Sequence, residues 1–401
     1  MSHSETVAQK RHAAAPPNGT RAWLAVFAVA VGSFNLVTNE FLPVGLLSDI
    51  HRDLNVSEGT AGTMVTAPGL VAAFSAPLLP VLLRRLDRRY ALLGLSLLFV
   101  LADVLASVAP NYGVMLAARA ILGIGIGGFW AIAVGLGTRL ISGESAPRAT
   151  AMIFGGISIG TVVGVPAGPL LGEFFGWRGA FLSVAVLGLL PLILQFILLP
   201  RIKVESVPTL GSLTTLLKSP RARTGLLMTF FTITAEFVAY TFVAPFLEQY
   251  TGASTGLVST LLLVFAAAGI IGNFATGYFL QRRLRPTAIA VIATLAVSVA
   301  LMPALGSWPI GAFIILAAWG LAYGGVPVAM QTWLFNADQD AASESGSGMF
   351  VATFQISIAL GSLVGGLVVD FLSIPGAMYL GALLALVALA FIISEKTRTR
   401  A

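Results

Sequence analysis

Long apolar runs, broken by short polar and basic stretches, recur along the whole 401-residue chain. A helix needs about 20 apolar residues to cross the hydrocarbon of a bilayer. On that measure the pattern predicts twelve spans, at 22–47, 59–83, 91–109, 114–138, 149–172 and 177–199, then 224–247, 254–280, 287–306, 308–335, 347–371 and 373–393. The expected fold is therefore an all-α membrane protein with twelve transmembrane helices. Between them the division is a polar tail at 1–21, a six-helix bundle at 22–199, a linker at 200–222, a second six-helix bundle at 223–393 and a tail at 394–401. No cleavable leader is expected, because the first apolar run is long enough to span and lacks a cleavage site.

Composition narrows the class. The chain is 57% hydrophobic and 10% charged, with a mean hydropathy of +0.91; soluble domains carry about 25% charged residues. A globular enzyme is excluded on that ground. The sequence pI near 9.9 does not indicate nucleic acid, because the cations form short clusters between apolar runs and not one stripe. There is no cysteine, and His3, His12 and His51 lie outside the apolar runs, so neither a metal site nor another cofactor is expected. No Gly-Lys pair exists to build a Walker-type phosphate loop, so any pumping draws on an ion gradient.

The cations also orient the chain. With the N-terminus inside, Lys10, Arg11, Arg21, the Arg84/Arg85/Arg88/Arg89 cluster, Arg139, Arg148, the linker cations, Arg282/Arg283/Arg285 and Lys396/Arg398/Arg400 all face the cytoplasm. Of the 23 cations only Arg52 and Arg178 fall outside, and Arg119 lies within a span. Both termini are thus expected in the cytoplasm of a cell whose cytoplasmic membrane holds the protein.

The two bundles echo one another. Thr38-Asn39-Glu40-Phe41 returns as Thr234-Ala235-Glu236-Phe237, Ile157-Ser158-Ile159 as Ile356-Ser357-Ile358, and Arg84-Arg85-Leu86 as Arg282-Arg283-Leu284. All three echoes share an offset of about 198 residues, as expected of parallel repeats with a substrate site near the midplane between them. The first echo places a carboxyl group inside an apolar run in each bundle. Such a group costs about 3 kcal/mol at a helix centre and normally faces a polar cavity, a partner charge or a proton.

Three further patterns carry chemistry. The fifth span reads Gly155-x8-Gly164-x3-Gly168-Pro169-x2-Gly172, and Gly160, Gly164, Gly168 and Gly172 present a bare helix face that another helix can approach closely. Pro166 and Pro169 should bend its outer half. The fourth span carries Arg119-x3-Gly123-x3-Gly127. A guanidinium stays charged at accessible pH, so Arg119 needs water or an anion, which Asp103 or Glu40 could supply. Between spans two and three, Leu86-Asp87-Arg88-Arg89-Tyr90 reads either as an acid–base latch at a helix end or as a plain positive-inside anchor.

Together these patterns resemble the drug:proton antiporter branch of the major facilitator superfamily, over almost the whole chain. Glu40-Phe41-Leu42-Pro43-Val44, Asp87-Arg88-Arg89-Tyr90, Gly127-Gly128-Phe129-Trp130-Ala131 and Gly176-Trp177-Arg178 are similar in particular to purine ribonucleoside exporters, and less closely to sugar efflux transporters. The loop motif lacks the usual leading glycine, and Glu173 stands where the fifth-helix motif ends in glycine. The resemblance implies export of a small molecule (a purine nucleoside, a sugar or a drug-like compound) against proton entry, by a monomer. At Glu236 such relatives more often carry an amide or a histidine, which leaves open a second protonatable site or recognition of a cationic substrate.

Glu40 is the expected proton carrier, with Glu236, Arg119 and Asp103 around it, since desolvation disfavours a buried charged carboxyl. Asn35, Asn39, Trp130, Tyr240, Asn273, Tyr323, Gln331, Trp333 and Gln355 are the candidate substrate contacts, because aromatic faces with amides suit a base or an aromatic drug. Asp87, Arg88 and Arg89, with Gly155, Gly164, Gly168, Pro169 and Gly172, are the expected gating elements. A proton-symport importer and a non-transporting receptor or scaffold are the competing readings. The glycine–proline pattern argues against the first, and the paired acids and the repeat against the second.

Overall fold

A computed structural model describes residues 19–133, 136–141, 145–202, 219–337 and 344–394. The expected tails and the expected linker fall largely outside the described residues, although helix already begins at Thr20 and resumes at Pro220. Within the described residues the fold is helical, with no strand. The N-terminal half comprises α1 Thr20–Phe41, α2 Leu47–Asp53, α3 Glu58–Leu82, α4 Arg88–Ser107, α5 Tyr112–Ala133, α6 Leu136–Leu140, α7 Ala146–Ile159 and α8 Val165–Leu198. The C-terminal half comprises α9 Pro220–Tyr240, α10 Val243–Gln249, α11 Thr255–Leu280, α12 Leu284–Leu305, α13 Pro309–Ala337, α14 Glu344–Phe371 and α15 Ile374–Ser394.

Eleven helices among the described residues are long and apolar enough to cross a membrane. Twelve were expected; α8 counts as one span, Pro166–Leu198. The stretches expected as separate spans at 149–172 and 177–199 run on into one another through α8, which breaks at Gly176 (φ 69°, ψ 166°). That backbone region is open to glycine and strained for other residues. Large apolar side chains face outward, among them Phe174, Phe274 and Phe371, each more than 70% exposed, as suits lipid and not water.

The runs expected at 22–47 and 224–247 are each two helices. α1 stops at Phe41, one residue beyond Glu40, and a 3-10 turn at Leu42–Gly45 leads into α2. Pro43 in that turn has no N–H to continue an α-helix. Likewise α9 stops at Tyr240, shortly beyond Glu236, and α10 follows. After α2 comes Asn55 at φ 51°, and after α10 comes Gly252 at φ 67°. Next, Ser57 caps α3 by accepting from the Thr60 N–H, and Ser254 caps α11 by accepting from the Leu257 N–H. Both pairs share an offset of about 197 residues, so the repeat read in side chains extends to backbone conformation.

The glycine face of the fifth span packs on α1 and the turn that follows it. Added Cβ atoms at Gly156, Gly160, Gly164, Gly168 and Gly172 would meet Ala30, Phe34, Thr38, Leu42 and Leu46 in turn, mostly under 3.0 Å. Each row advances four residues per step, so two helix faces run in register. Gly155, the first glycine of the motif, is not part of this contact: nothing lies within 4 Å of a Cβ there. It stands one position, about 100° of helix, off the stripe. A π-turn stands at Gly160–Gly164, just before Pro166, which has no N–H to close an ordinary helical turn.

Candidate functional site

α1, α3, α4 and α5 bring together the polar residues of the first half. Arg119 on α5 is 1% exposed, so its stem does not reach water. Its guanidinium donates to Met64 O at 2.9 Å, Asn39 O at 2.8 Å and Glu40 O at 2.8 Å. The expected carboxylate partner is thus replaced by three main-chain carbonyls. Two of these become available because α1 ends there, and the last carbonyls of a helix have no partner within it. Among the described residues Arg119 forms no ion pair with Glu40 or Asp103. Asp103, also buried, is hydrogen bonded by the Asn39 amide.

The Glu40 carboxylate is 5% exposed and receives Gln355 Nε2 of α14, across the two halves, at 3.3 Å. Phe41 stacks on Phe237 beside it, with ring centroids 5.7 Å apart. Glu40 and Gln355, expected in different roles, therefore meet at the seam.

Glu236 is placed differently from its echo. It is wholly buried within the second half, where Trp319 Nε1 donates to Oε2 at 2.7 Å and Oε1 has no hydrogen-bond partner among the described residues. Tyr240 stacks on Phe265 at 4.8 Å, Phe265 on Tyr323 at 6.0 Å, and Trp319 meets Tyr240 and Phe265 edge-on. Tyr240 and Tyr323 thus belong to a ring cluster around this acid. A cluster so closely packed seals the carboxyl from water while offering one indole N–H.

The seam between the halves is closed at the end that carries Arg52 and Arg178. Asp370 near the end of α14 receives Ser57 Oγ at 2.6 Å and the Gly59 N–H at 2.8 Å, both from the start of α3. A Cβ at Gly59 would lie 2.0 Å from Gly366 O, so only glycine lets the two backbones touch. Ser362 donates to Gly62 O at 2.7 Å, Gln249 pairs with Glu58, and Arg52 lies 3.6 Å from Glu248.

The remaining candidates scatter. Asn35 points into the first half against Gly188 and makes no side-chain hydrogen bond, and Asn39 is equally buried. Trp130 stacks on Phe154 at 5.9 Å. Trp333 lies against Gly225 of α9. Asn273 and Gln331 are half-buried on α11 and α13. At the opposite end, Asp87 caps α4 through the Arg89 N–H and also holds the Ile202 N–H, both at 2.9 Å; Arg89 reaches Phe196 O. These contacts tie the exit of α8 to the start of α4, inside one half. Trp319, Asp370 and Gln195 were not singled out in the sequence; an acid at the end of an apolar run was the available signal for Asp370. No three His, Cys, Asp or Glu gather as metal ligands would among the described residues.

Comparison with known proteins bears on this geometry. The profile of the Major Facilitator Superfamily matches residues 23–356. A Pseudomonas aeruginosa protein named "Transcription regulatory protein OpdE" is 37% identical over 96% of both chains. The "Purine ribonucleoside efflux pump NepI" of Salmonella enteritidis is 33% identical over 98% of both, and that of Salmonella paratyphi A 34% over the same share. Among solved structures, a bacterial homologue of the human lysosomal transporter Spinster, in an inward-facing and unoccupied conformation, superposes with a TM-score of 0.72. It covers 94% of this chain and 95% of its own at 14% identity, so that likeness concerns the fold.

Proposed function

Because the chain belongs to the Major Facilitator Superfamily and is a membrane transporter, we propose that it exports a small organic molecule by proton antiport with alternating access. Purine ribonucleosides are the leading substrate class, on the strength of the NepI relatives. In this reading the chain makes twelve crossings, with Gly176 as the turn between the fifth and sixth, and both termini lie in the cytoplasm. The closed end of the seam then faces outward, and this is the inward-facing state of a monomer in the cytoplasmic membrane.

The observation that carries the reading is the Glu40 carboxylate, buried at the seam with an amide from the opposite half as its partner and, among the described residues, no cation paired to it. Arg119 is nearby but spends its donors on carbonyls. A buried carboxylate without an ion pair is costly, and taking up a proton removes that cost. Protonation and the contact with Gln355 then compete, which couples proton movement to the two arrangements of the halves. Asn273, Tyr323, Gln331, Trp333 and Trp130 remain the proposed substrate contacts; Glu236, sealed under Trp319, is proposed as a second proton-bearing group.

Proton movement on addition of a purine ribonucleoside to everted vesicles tests the reading. Glu40→Gln should abolish it while counterflow exchange continues, and unchanged movement in both Glu40→Gln and Glu236→Gln would remove the proposal. A second reading is a transporter of a different small molecule, since the OpdE relative is named for regulation and not for nucleoside export. Reconstituted protein that supports no counterflow of any nucleoside would select it.

A further inference from the structure

Five polar side chains follow one another inside the N-terminal half, along the line where α1, α4 and α8 meet. Ser96 of α4 donates to Gln195 Oε1 of α8 at 2.8 Å. The Gln195 amide nitrogen would lie 2.7 Å from a Cβ at Gly32 of α1. One turn further along α1, the Asn35 amide lies against Gly188, with Val100 beside it. One more turn brings Asn39, which donates to Asn35 O at 3.1 Å and bonds the Asp103 carboxyl. All five are at most 2% exposed.

The line is conspicuous for what it leaves unbonded. Gln195 Nε2, both amide atoms of Asn35, Asn39 Oδ1 and Asp103 Oδ2 make no hydrogen bond among the described residues. Each such atom costs about 1–3 kcal/mol, and folded proteins keep few of them. Packing alone would be served better by leucine. Along α1 the line advances three residues from Gly32 to Asn35 and four from Asn35 to Asn39, about 4.5 and 6 Å of helix rise, gaps that one or two bound waters bridge with hydrogen bonds on each side.

We propose that this line is a hydrated proton path through the interior of the N-terminal half. It joins Asp103, and beyond it Arg119 and Glu40, to the end where α8 finishes, apart from the substrate route between the halves. The proposal rests on the proton-antiport reading. Asp103 takes up, through a bound water, the proton that Glu40 releases and gives its own to the next water; each hop forms one O–H bond and breaks another, and the proton leaves past Gln195, one turn from the helix end at Leu198. The amides orient the waters and change no charge. Arg119 keeps its charge and carries no proton.

Radiolytic hydroxyl-radical footprinting labels side chains that touch bound water and needs no substrate. Val100 on the line and Val291 in the other half are both 8% exposed. Val100 should be labelled about tenfold faster, and equal rates overturn the proposal. In everted vesicles, Gln195→Met and Ser96→Ala should lower proton-driven accumulation of radiolabelled inosine about tenfold while counterflow changes less than about twofold. Equal loss of both assigns the line to packing and overturns the path. Wild-type vesicles that exchange inosine without moving protons would defeat antiport instead, and the footprint would still decide whether the line is wet.

Discussion

Arg119 donates to the main-chain carbonyl of Glu40 and leaves the Glu40 carboxylate to Gln355. The cation holds the broken end of α1 in place, and the acid beside it stays available for protonation. Arg119→Lys removes the planar fork that serves three carbonyls. It should cost about 3 kcal/mol of stability, measured as a fall in thermal midpoint in detergent. Glu40→Gln should leave that midpoint nearly unchanged.

Trp319 and Glu236 form a buried pair with one hydrogen bond. Trp319→Phe leaves the carboxyl with no donor and should cost about 1–3 kcal/mol. In Glu236→Gln the same change should cost less, because the partner no longer carries charge. A double-mutant cycle of the two substitutions reads the coupling, and strict additivity would show the pair to be idle.

Gly164 and Gly155 belong to the same motif but meet different surroundings. Gly164→Val would drive its side chain into the Thr38 backbone, where a Cβ already lies 2.8 Å from Cα. It should cost about 1–3 kcal/mol and abolish transport. Gly155→Val meets open space and should stay within about 0.5 kcal/mol of the parent. Thermal unfolding of the two variants side by side checks the contrast.

Asp370 closes the seam through Ser57 and Gly59. With no native cysteine, Thr241→Cys gives a single reporter, buried beside Gly62. Asp370→Ala should speed its labelling by a membrane-impermeant maleimide about tenfold, which corresponds to roughly 1.4 kcal/mol of lost closure.

The Asp53 carboxyl is held below its usual range, first by the hydrogen bond from Arg178 and also by one from Trp177. A lowered value means that the stabilisation is present above the ordinary carboxylate range and is lost as pH falls through the lowered value. Wild type should therefore unfold at a higher temperature than Asp53→Asn at neutral pH, and the gap should close in acid. Both side chains are exposed, so the gap is small.

Much of this architecture was legible in the chain itself. Apolar length, the four-residue glycine step and an acid within each of two echoing runs are local properties, and each reappears in the helices, in the α1 contact and in the paired helix breaks after Glu40 and Glu236. The break positions were less legible, because a span and the short helix after it form one apolar run; Pro43 was the only mark of the first.

What the linear order could not decide is rotation. Whether Asn35 faces the seam or the interior of its own half, whether Arg119 finds a carboxylate or a carbonyl, and whether Glu236 is open or sealed under Trp319 all depend on how each helix turns about its axis. Packing against distant segments sets that turn, since Trp319, Gln355 and Gln195 arrive from far along the chain. Hydrophobicity alone therefore determined that the chain enters the membrane. Only the tertiary structure chose which of its few polar groups meet, because a low-dielectric interior forces each one onto whichever partner the packed helices bring near.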